Sequence, residues 1–154
     1  MSAGKKVEKT IIFHQDNRFY IFMVEMKRSI SPRKFEEDIA KKYEQSLATL
    51  SVFISAHFDF THFEESKIFP IGICCYNYYK DTQPNYNRDK KWIAGSFRRK
   101  YEEGKREMLI PVNPLTLNVM QMPIVLCENL NDPITNSFEI DLEDILSRAI
   151  SLSE

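Results

Sequence analysis

The sequence has few cysteines, no long hydrophobic run and almost no net charge. Its three cysteines, Cys74, Cys75 and Cys127, give neither an even disulfide framework nor a CxxC metal pair. No stretch of about 18 apolar residues occurs, and the N-terminal residues are polar without a hydrophobic signal core. We therefore expect no membrane span and no secretion, and a reducing location in the cytoplasm or, in a eukaryote, the nucleus.

The net charge of -1 excludes a protein that coats nucleic acid through a generally basic surface. The charges are nevertheless unevenly distributed, because Lys and Arg dominate residues 80–106 while Asp and Glu dominate residues 128–154. Two interpretations stay open for this bias. One is a local basic surface that meets a partner, and the other is a solvated loop followed by an acidic terminal helix.

The composition is that of one globular domain. Of 154 residues, 43% are hydrophobic and 12% are aromatic, which is enough for a core in a chain of this length. No internal repeat occurs, and nothing marks a second domain. We predict a single domain over residues 1–154, with a basic insertion or loop at about 80–107.

An apolar run from Phe19 to Lys27 is the most informative segment, and we predict that it is a central strand. Apolar side chains at both odd and even positions are typical of a strand that is covered on both faces. Glu25 and Lys27 lie two positions apart at its end, so both project from one face. Charges at the end of a buried strand are costly unless they meet each other, a metal or a substrate phosphate.

A hairpin should lead into this strand. Asp16 and Asn17 form a favourable two-residue turn because both tolerate positive φ, and the first strand should span residues 7–15. The turn sets a register in which Glu8 lies directly opposite Glu25. Two carboxylates in that position repel each other unless a cation lies between them.

A long helix and a further buried strand should follow. Ser31 as N-cap and Pro32 at the first helical position predict a helix that runs to about Ala56 and packs on the sheet through an apolar stripe. Residues 67–79 are the next strand, which should run parallel to the preceding one through a right-handed crossover.

The rest of the chain should add short elements around this core. Cys74 and Cys75 should occupy opposite faces of their strand as small core residues. A short helix is expected near Ser96–Glu103, strand candidates are residues 109–112, 115–121, 124–127 and 138–142, and a helix should span residues 143–152. The predicted fold class is therefore α/β or α+β, with a mixed central sheet and a long crossover helix.

The hairpin, the strand that ends in Glu25-Met26-Lys27 and the following helix together resemble the core of the PD-(D/E)xK nuclease superfamily, the restriction-endonuclease-like fold. In that family one strand begins with an acid, the next strand of the hairpin ends in (D/E)xK, and a following helix often supplies Gln or Lys. The resemblance covers about residues 7–79. It implies that Glu8 is the first acid, Glu25 the second acid and Lys27 the lysine. The helix position would be Gln45 or Lys42.

What the resemblance implies is a metal-dependent nuclease that hydrolyses phosphodiester bonds of DNA or RNA. Glu8 and Glu25 would hold Mg²⁺ or Mn²⁺, hard ions that prefer oxygen ligands. The metal would polarise the scissile phosphate, and Lys27 would orient the attacking water or stabilise the developing charge. Gln45 would lie beside this site.

The basic segment independently indicates a nucleic-acid surface. Aromatic residues between Tyr76 and Tyr101 are interleaved with lysines and arginines, a combination that stacks bases and meets phosphates. The residues expected to contact nucleic acid are Lys42, Lys90, Lys91, Arg98, Arg99 and Lys100. In the competing interpretation, the aromatic side chains simply pin a long loop to the core.

The chain departs from the family pattern in two respects. The first acid of the family is usually aspartate, where this chain offers Glu8, and the family core begins with a helix and a strand ahead of the hairpin. Three explanations remain open. The chain is a fragment; or its later segments, a second copy in a homodimer or a partner chain complete the core; or it is a relative that binds nucleic acid without cutting it. The alternatives to a nuclease are therefore a non-catalytic binding or assembly module, and a small immunity or inhibitor protein whose acidic end mimics nucleic acid.

Overall fold

The protein is built around a five-stranded mixed sheet, which a computed structural model describes for residues 7–16, 18–57, 67–81, 92–112, 121–129 and 138–153. The strands are β1 (Lys9–Gln15), β2 (Arg18–Ile30), β3 (Lys67–Tyr79), β4 (Glu107–Pro111) and β5 (Gln121–Glu128), in the spatial order β1-β2-β3-β5-β4. Three helices lie within these ranges: α1, α2 (Trp92–Glu102) and α3 (Leu142–Ser153). Helix α1 consists of three consecutive segments, which are Pro32–Lys34, a π-helical turn at Phe35–Ile39, and Ala40–His57. The predicted α+β class with a mixed sheet is confirmed.

The β1–β2 hairpin has the predicted register. The two strands pair antiparallel from Gln15 opposite Arg18 to Lys9 opposite Val24. Asp16 adopts a φ of 53°, as the turn requires, and Asn17 lies outside the described residues. The register is therefore set by the turn and by the apolar pattern of β2.

The β2–α1–β3 unit forms the predicted parallel crossover. Ser31 caps α1, since its Oγ accepts a hydrogen bond from a backbone N–H of the first turn at 3.1 Å. The Tyr43 hydroxyl donates a hydrogen bond to the Ile73 carbonyl oxygen of β3 at 2.6 Å. Gly72 makes room for this ring, because a Cβ there would collide with Ile124 Cδ1 and approach Tyr43 Cε1 to 3.0 Å. Helix α1 is thus held close against β3.

Helices cover both faces of the sheet, so the core has two layers. The α1 face is covered by α1 and α2, whose buried side chains include Phe35, Ile39, Tyr43, Leu47 and Phe97. The α3 face is covered by α3 through Ile145 and Ala149. Cys74 belongs to the first layer and Cys75 to the second, which confirms that these neighbours occupy opposite faces.

The edge strand predicted over residues 138–142 is wrong. Residues 138–141 have no regular structure, and α3 begins at Leu142. The Asp141 Oδ1 accepts hydrogen bonds from two N–H groups of the first helical turn, at 3.0 and 3.4 Å, so the chain turns into a helix at this point. The strand candidate over residues 115–121 lies outside the described residues except for Gln121.

None of the helices in the described ranges is both long enough and apolar enough to cross a membrane.

Candidate functional site

Strand β2 carries a fully buried carboxylate in its second half. Glu25 is 0% exposed, and it faces α1 because its register partner on β3, Cys74, belongs to the layer beneath that helix. Its Oε1 accepts a hydrogen bond from Lys42 Nζ at 3.0 Å, and Lys27 Nζ lies 3.6 Å from the same oxygen. Its Oε2 is buried and has no hydrogen-bond partner among the described residues. Since a buried acceptor without a partner is costly, this oxygen is a candidate ligand atom.

Asp38 completes the cluster from the helix side. Its Oδ2 lies 2.9 Å from Lys27 Nζ and 4.0 Å from Lys42 Nζ. We call Glu25, Lys27, Asp38 and Lys42 the acid–lysine cluster. The side chains of Lys27 and Lys42 are each 19% exposed and that of Asp38 is 24% exposed. The cluster is therefore closed at Glu25 and open to solvent at its other three members.

The electrostatics of the cluster keep Lys27 charged. Burial by itself lowers the pKa of Lys27, but the hydrogen bond to Asp38 and the charges of Asp38 and Glu25 outweigh burial and raise the pKa above its ordinary value. Lys27 is consequently an ammonium ion throughout the physiological pH range. It can stabilise negative charge, but it cannot act as a base there.

A π-helical turn within α1 positions Asp38. The Ala40 N–H bonds to the Phe35 carbonyl oxygen, five residues earlier, and such wide turns occur frequently at functional sites. In the same turn Glu36 serves another purpose, because its Oε1 accepts a hydrogen bond from the Ile93 N–H at 3.1 Å, at the start of α2. One wide turn therefore directs one acid towards β2 and another towards α2.

A cleft of about 500 Å³ opens beside the cluster, where β2 and β3 reach their carboxyl ends. Asp38 belongs to both the cluster and the cleft wall, so the two are continuous. The other lining residues are Ser29, Ser31, Arg33, Lys34, Glu37 and Lys80. Ligands of sheets with parallel strands commonly bind outside the carboxyl ends of those strands, and this cleft has that location.

Glu8 and Gln45, two residues predicted to be in the site, are both exposed. The β1–β2 ladder ends at Lys9, and the Glu8 N–H bonds to the Val24 carbonyl oxygen at 3.1 Å. The predicted register therefore stops one residue short of the Glu8–Glu25 pair. Glu8 is thus an exposed residue, whereas Glu25 is buried beneath α1.

Asp38 was not predicted from the sequence, and Lys42 was predicted beside the site as one of two helix candidates, without being paired with Glu25. Asp38 and Lys42 have the i,i+4 spacing that places two side chains together on a helix surface, and this was a usable signal. Which strand residue they would face depends on the rotation of α1 about its axis, and the sequence pattern does not fix that rotation.

The basic residues expected to contact nucleic acid have different environments. Arg98 makes two hydrogen bonds to Asp81, from Nε at 2.6 Å and from Nη2 at 3.1 Å, so Asp81 already occupies its guanidinium. Arg99 is exposed and Lys100 is half-buried, while Lys90 and Lys91 lie outside the described residues. The aromatic rings of α2 pack against rings of α1 and β3, at Phe35, Tyr79, Phe97 and Tyr101. In the described part of this segment, the rings thus pin α2 to the core.

The donor set of the cluster suits a hard divalent ion held by few protein ligands. Glu25 and Asp38 offer carboxylate oxygens, and one oxygen of Glu25 is unpartnered. Magnesium commonly takes one or two carboxylates and keeps several waters. Across the described ranges, no group of three or more His, Cys, Asp or Glu side chains is arranged to hold a metal. An ion here would therefore depend on two carboxylates, not on a complete protein cage.

Comparison with known proteins gives no match to a family model, to a curated protein or to a solved structure.

Proposed function

We propose that the protein is a metal-dependent nuclease whose active site is the acid–lysine cluster. The observation that carries the proposal is Glu25, a fully buried carboxylate with one unpartnered oxygen and two lysines at the other. Burial of such a group is costly, and a bound cation offsets that cost. The Glu-x-Lys spacing in the second half of β2 also resembles PD-(D/E)xK nucleases, although β2 continues to Ile30 and does not end at Lys27 as predicted. A restriction-endonuclease-like core is part of the proposal.

Asp38 takes the role of the second carboxylate in this proposal. It shares Lys27 with Glu25 and borders the cleft, while Glu8 is exposed at the end of the hairpin ladder. Because α1 supplies the second carboxylate in this proposal, the site does not need Glu8 as a metal ligand.

The remaining residues have defined tasks. When bound by Glu25 and Asp38, Mg²⁺ or Mn²⁺ would supply a Lewis acid that polarises the scissile phosphate and acidifies a water. Lys27 stays protonated and stabilises the negative charge that develops on the phosphate. Lys42 fixes the Glu25 side chain by donating to Oε1.

The cleft provides the binding surface for the substrate. Lys34 and Lys80 lie in its wall, and Lys80 is exposed. Ammonium groups near a site bind phosphates without reading sequence, so the proposal covers DNA and RNA alike. Arg99 and Lys100 would extend this contact along α2.

A second candidate is a non-catalytic binding module that keeps the same core. It is favoured by the contacts of Glu25 with Lys42 and Lys27, since a carboxylate that already has two lysines can be a structural ion pair. In that case the cleft binds a partner, and the cluster supports only the fold.

Manganese titration by calorimetry, combined with cleavage assays on single- and double-stranded DNA and RNA, tests the proposal. We expect the wild type to bind Mn²⁺ and to cleave at least one of these substrates. Glu25→Gln and Asp38→Asn should abolish Mn²⁺ binding, and Lys27→Met should retain it while cleavage falls about 100-fold, the scale expected for removing one electrostatic stabiliser.

Two matched variants complete the experiment. Glu44→Gln removes an exposed acid from the same helix and should leave binding and cleavage unchanged. Glu8→Gln should do the same, and loss of Mn²⁺ binding in this variant would restore Glu8 as a ligand in place of Asp38. A folded wild type that binds no Mn²⁺ and cleaves none of the substrates would overturn the nuclease and favour the binding module.

A further inference from the structure

Two cysteines face each other on the opposite side of the sheet from the acid–lysine cluster. Cys75 of β3 and Cys127 of β5 are register partners in a parallel pair, and both belong to the layer beneath α3. Neighbouring strands lie about 4.8 Å apart, which falls within the Cα separation of about 4.4–6.8 Å that a disulfide spans. All three cysteines of the chain are free thiols.

The two thiols differ in their access to solvent. Cys75 is fully buried, whereas Cys127 is partly exposed and lines a cleft of about 510 Å³ between β5 and α3. The charged residues of that cleft are Arg106, Glu128, Glu139, Asp141, Asp144 and Arg148. A small reagent that enters the cleft therefore meets Cys127 first, with Cys75 directly behind it.

The surroundings favour the thiolate at Cys127. The hydrogen bond from the Cys75 thiol is the largest cause that lowers the pKa of Cys127 to about 7; burial opposes it, and the charge of Arg148 adds to it. The same hydrogen bond, together with burial, raises the pKa of Cys75. The Arg148 guanidinium is fixed beside Cys127, because its Nη2 donates to the Leu126 carbonyl oxygen at 3.0 Å and its Nε to Glu107.

We propose that Cys127 and Cys75 form a peroxide-sensitive thiol pair that closes to a disulfide between β5 and β3. The Cys127 thiolate attacks one oxygen of hydrogen peroxide and breaks the O–O bond, which leaves a sulfenic acid and a hydroxide that is protonated to water. The Cys75 sulfur then attacks the Cys127 sulfur, and its proton leaves with the displaced oxygen as a second water. Two thiols and one peroxide thus give one disulfide and two waters, and the two sulfurs supply both electrons.

Cys74 is the internal control for this proposal. It is adjacent to Cys75 in sequence and equally buried, but it projects into the α1 layer beside Glu25. If oxidation required only partial unfolding of the chain, Cys74 would be oxidised as well. The strand register instead pairs Cys75 with Cys127 alone.

The test is peroxide oxidation of the reduced full-length protein, followed by thiol counting after denaturation and by mass spectrometry of peptides. We expect the wild type to fall from three free thiols to one, and Cys75 and Cys127 to appear in one linked peptide pair. Cys74→Ala should fall from two free thiols to none at the wild-type rate. Cys75→Ala should accumulate a sulfenic acid at Cys127 that dimedone captures, and Cys127→Ser should lose thiols at least about tenfold more slowly than the wild type.

Three results would overturn the proposal: a wild type that keeps three free thiols, a disulfide that includes Cys74, or a Cys127→Ser variant that loses thiols at the wild-type rate. The first two are read from the wild type alone, so the test remains decisive if a variant fails to fold.

Discussion

The two faces of the sheet carry different chemistry at the same level of β3. On the α1 face, Cys74 lies beside Glu25 in a packed layer, and Lys27, Asp38 and Lys42 form the partly exposed side of the acid–lysine cluster. On the α3 face, the buried Cys75 lies beside Cys127, which lines a cleft. Strand β3 thus has the ionic site of β2 and α1 beside one of its faces and contributes Cys75 to the thiol pair on the other.

On each face, the surroundings of a group determine its chemistry. On the α1 face Glu25 is fully buried, and in such surroundings electrostatic interactions are strong. On the α3 face a partly exposed sulfur beside a guanidinium becomes a nucleophile.

The largest expected effect comes from filling the space beneath Tyr43 on the α1 face. Gly72→Ala should destabilise the fold by about 3 kcal/mol, because its Cβ collides with Ile124 and presses on Tyr43 in a packed core. Urea unfolding measures the change. The matched variant Gly95→Ala adds a Cβ with nothing within 4 Å inside α2 and should stabilise the protein by up to about 1 kcal/mol. Equal effects of the two substitutions would show that the α1 face is not tightly packed at Gly72.

A smaller effect is expected from neutralising one acid on each face. Glu25→Gln should lower the free energy of unfolding by about 2 kcal/mol. This is less than the loss expected when a fully buried ion pair is broken, because Lys27 and Lys42 still contact Asp38 and are partly exposed to solvent. Glu107→Gln, which removes the partly exposed partner of Arg148, should cost less than about 1 kcal/mol. Urea unfolding at neutral pH compares them. If Glu107→Gln destabilised the protein more than Glu25→Gln, the conclusion that the more deeply buried charge lies on the α1 face would be wrong.

The smallest effect is a shift in the pH dependence of alkylation. The pKa of Cys127 is lowered to about 7 by Cys75 and Arg148, against burial and the charge of Asp144, so the rate with iodoacetamide should fall as pH drops through about 7. An ordinary thiol would have its midpoint at about pH 8.5. Cys74, whose pKa is raised by burial and by Glu25, should stay unlabelled in the folded protein. Peptide mass spectrometry measures alkylation at both cysteines. If the alkylation of Cys127 had the midpoint of an ordinary thiol, the two faces would not differ in thiol chemistry.

Much of the framework could be predicted from the sequence because it depends on local rules. The turn at Asp16 and the apolar residues of β2 set the hairpin register, and the Ser31-Pro32 start places α1. The bounds of β3 at Lys67–Tyr79 agree with the predicted strand, and its alternation correctly separates Cys74 from Cys75.

The composition of the candidate site could not be predicted in the same way. Whether Asp38 and Lys42 reach Glu25 depends on the rotation of a helix against a strand, which is a tertiary property. The exposure of Glu8 depends on the ladder ending one residue before it. The alternation around Phe138 and Ile140 suggested a strand, but these residues pack beneath α3 without one, because a cap at Asp141 outweighs a short alternating pattern.

The wide turn at Phe35–Ile39 acts as a phase shift between two parts of one helix. An α-helix turns by about 100° per residue, so side chains spaced by four, such as Phe35, Ile39, Tyr43 and Leu47, drift around the axis. The additional residue in the wide turn offsets part of that drift, which lets all four remain buried. Deletion of one residue from this turn would restore regular winding and leave a helix, but it would rotate Glu36 and Asp38 away from α2 and β2. The length of this single turn therefore couples the packing of the helix to the assembly of the charged site.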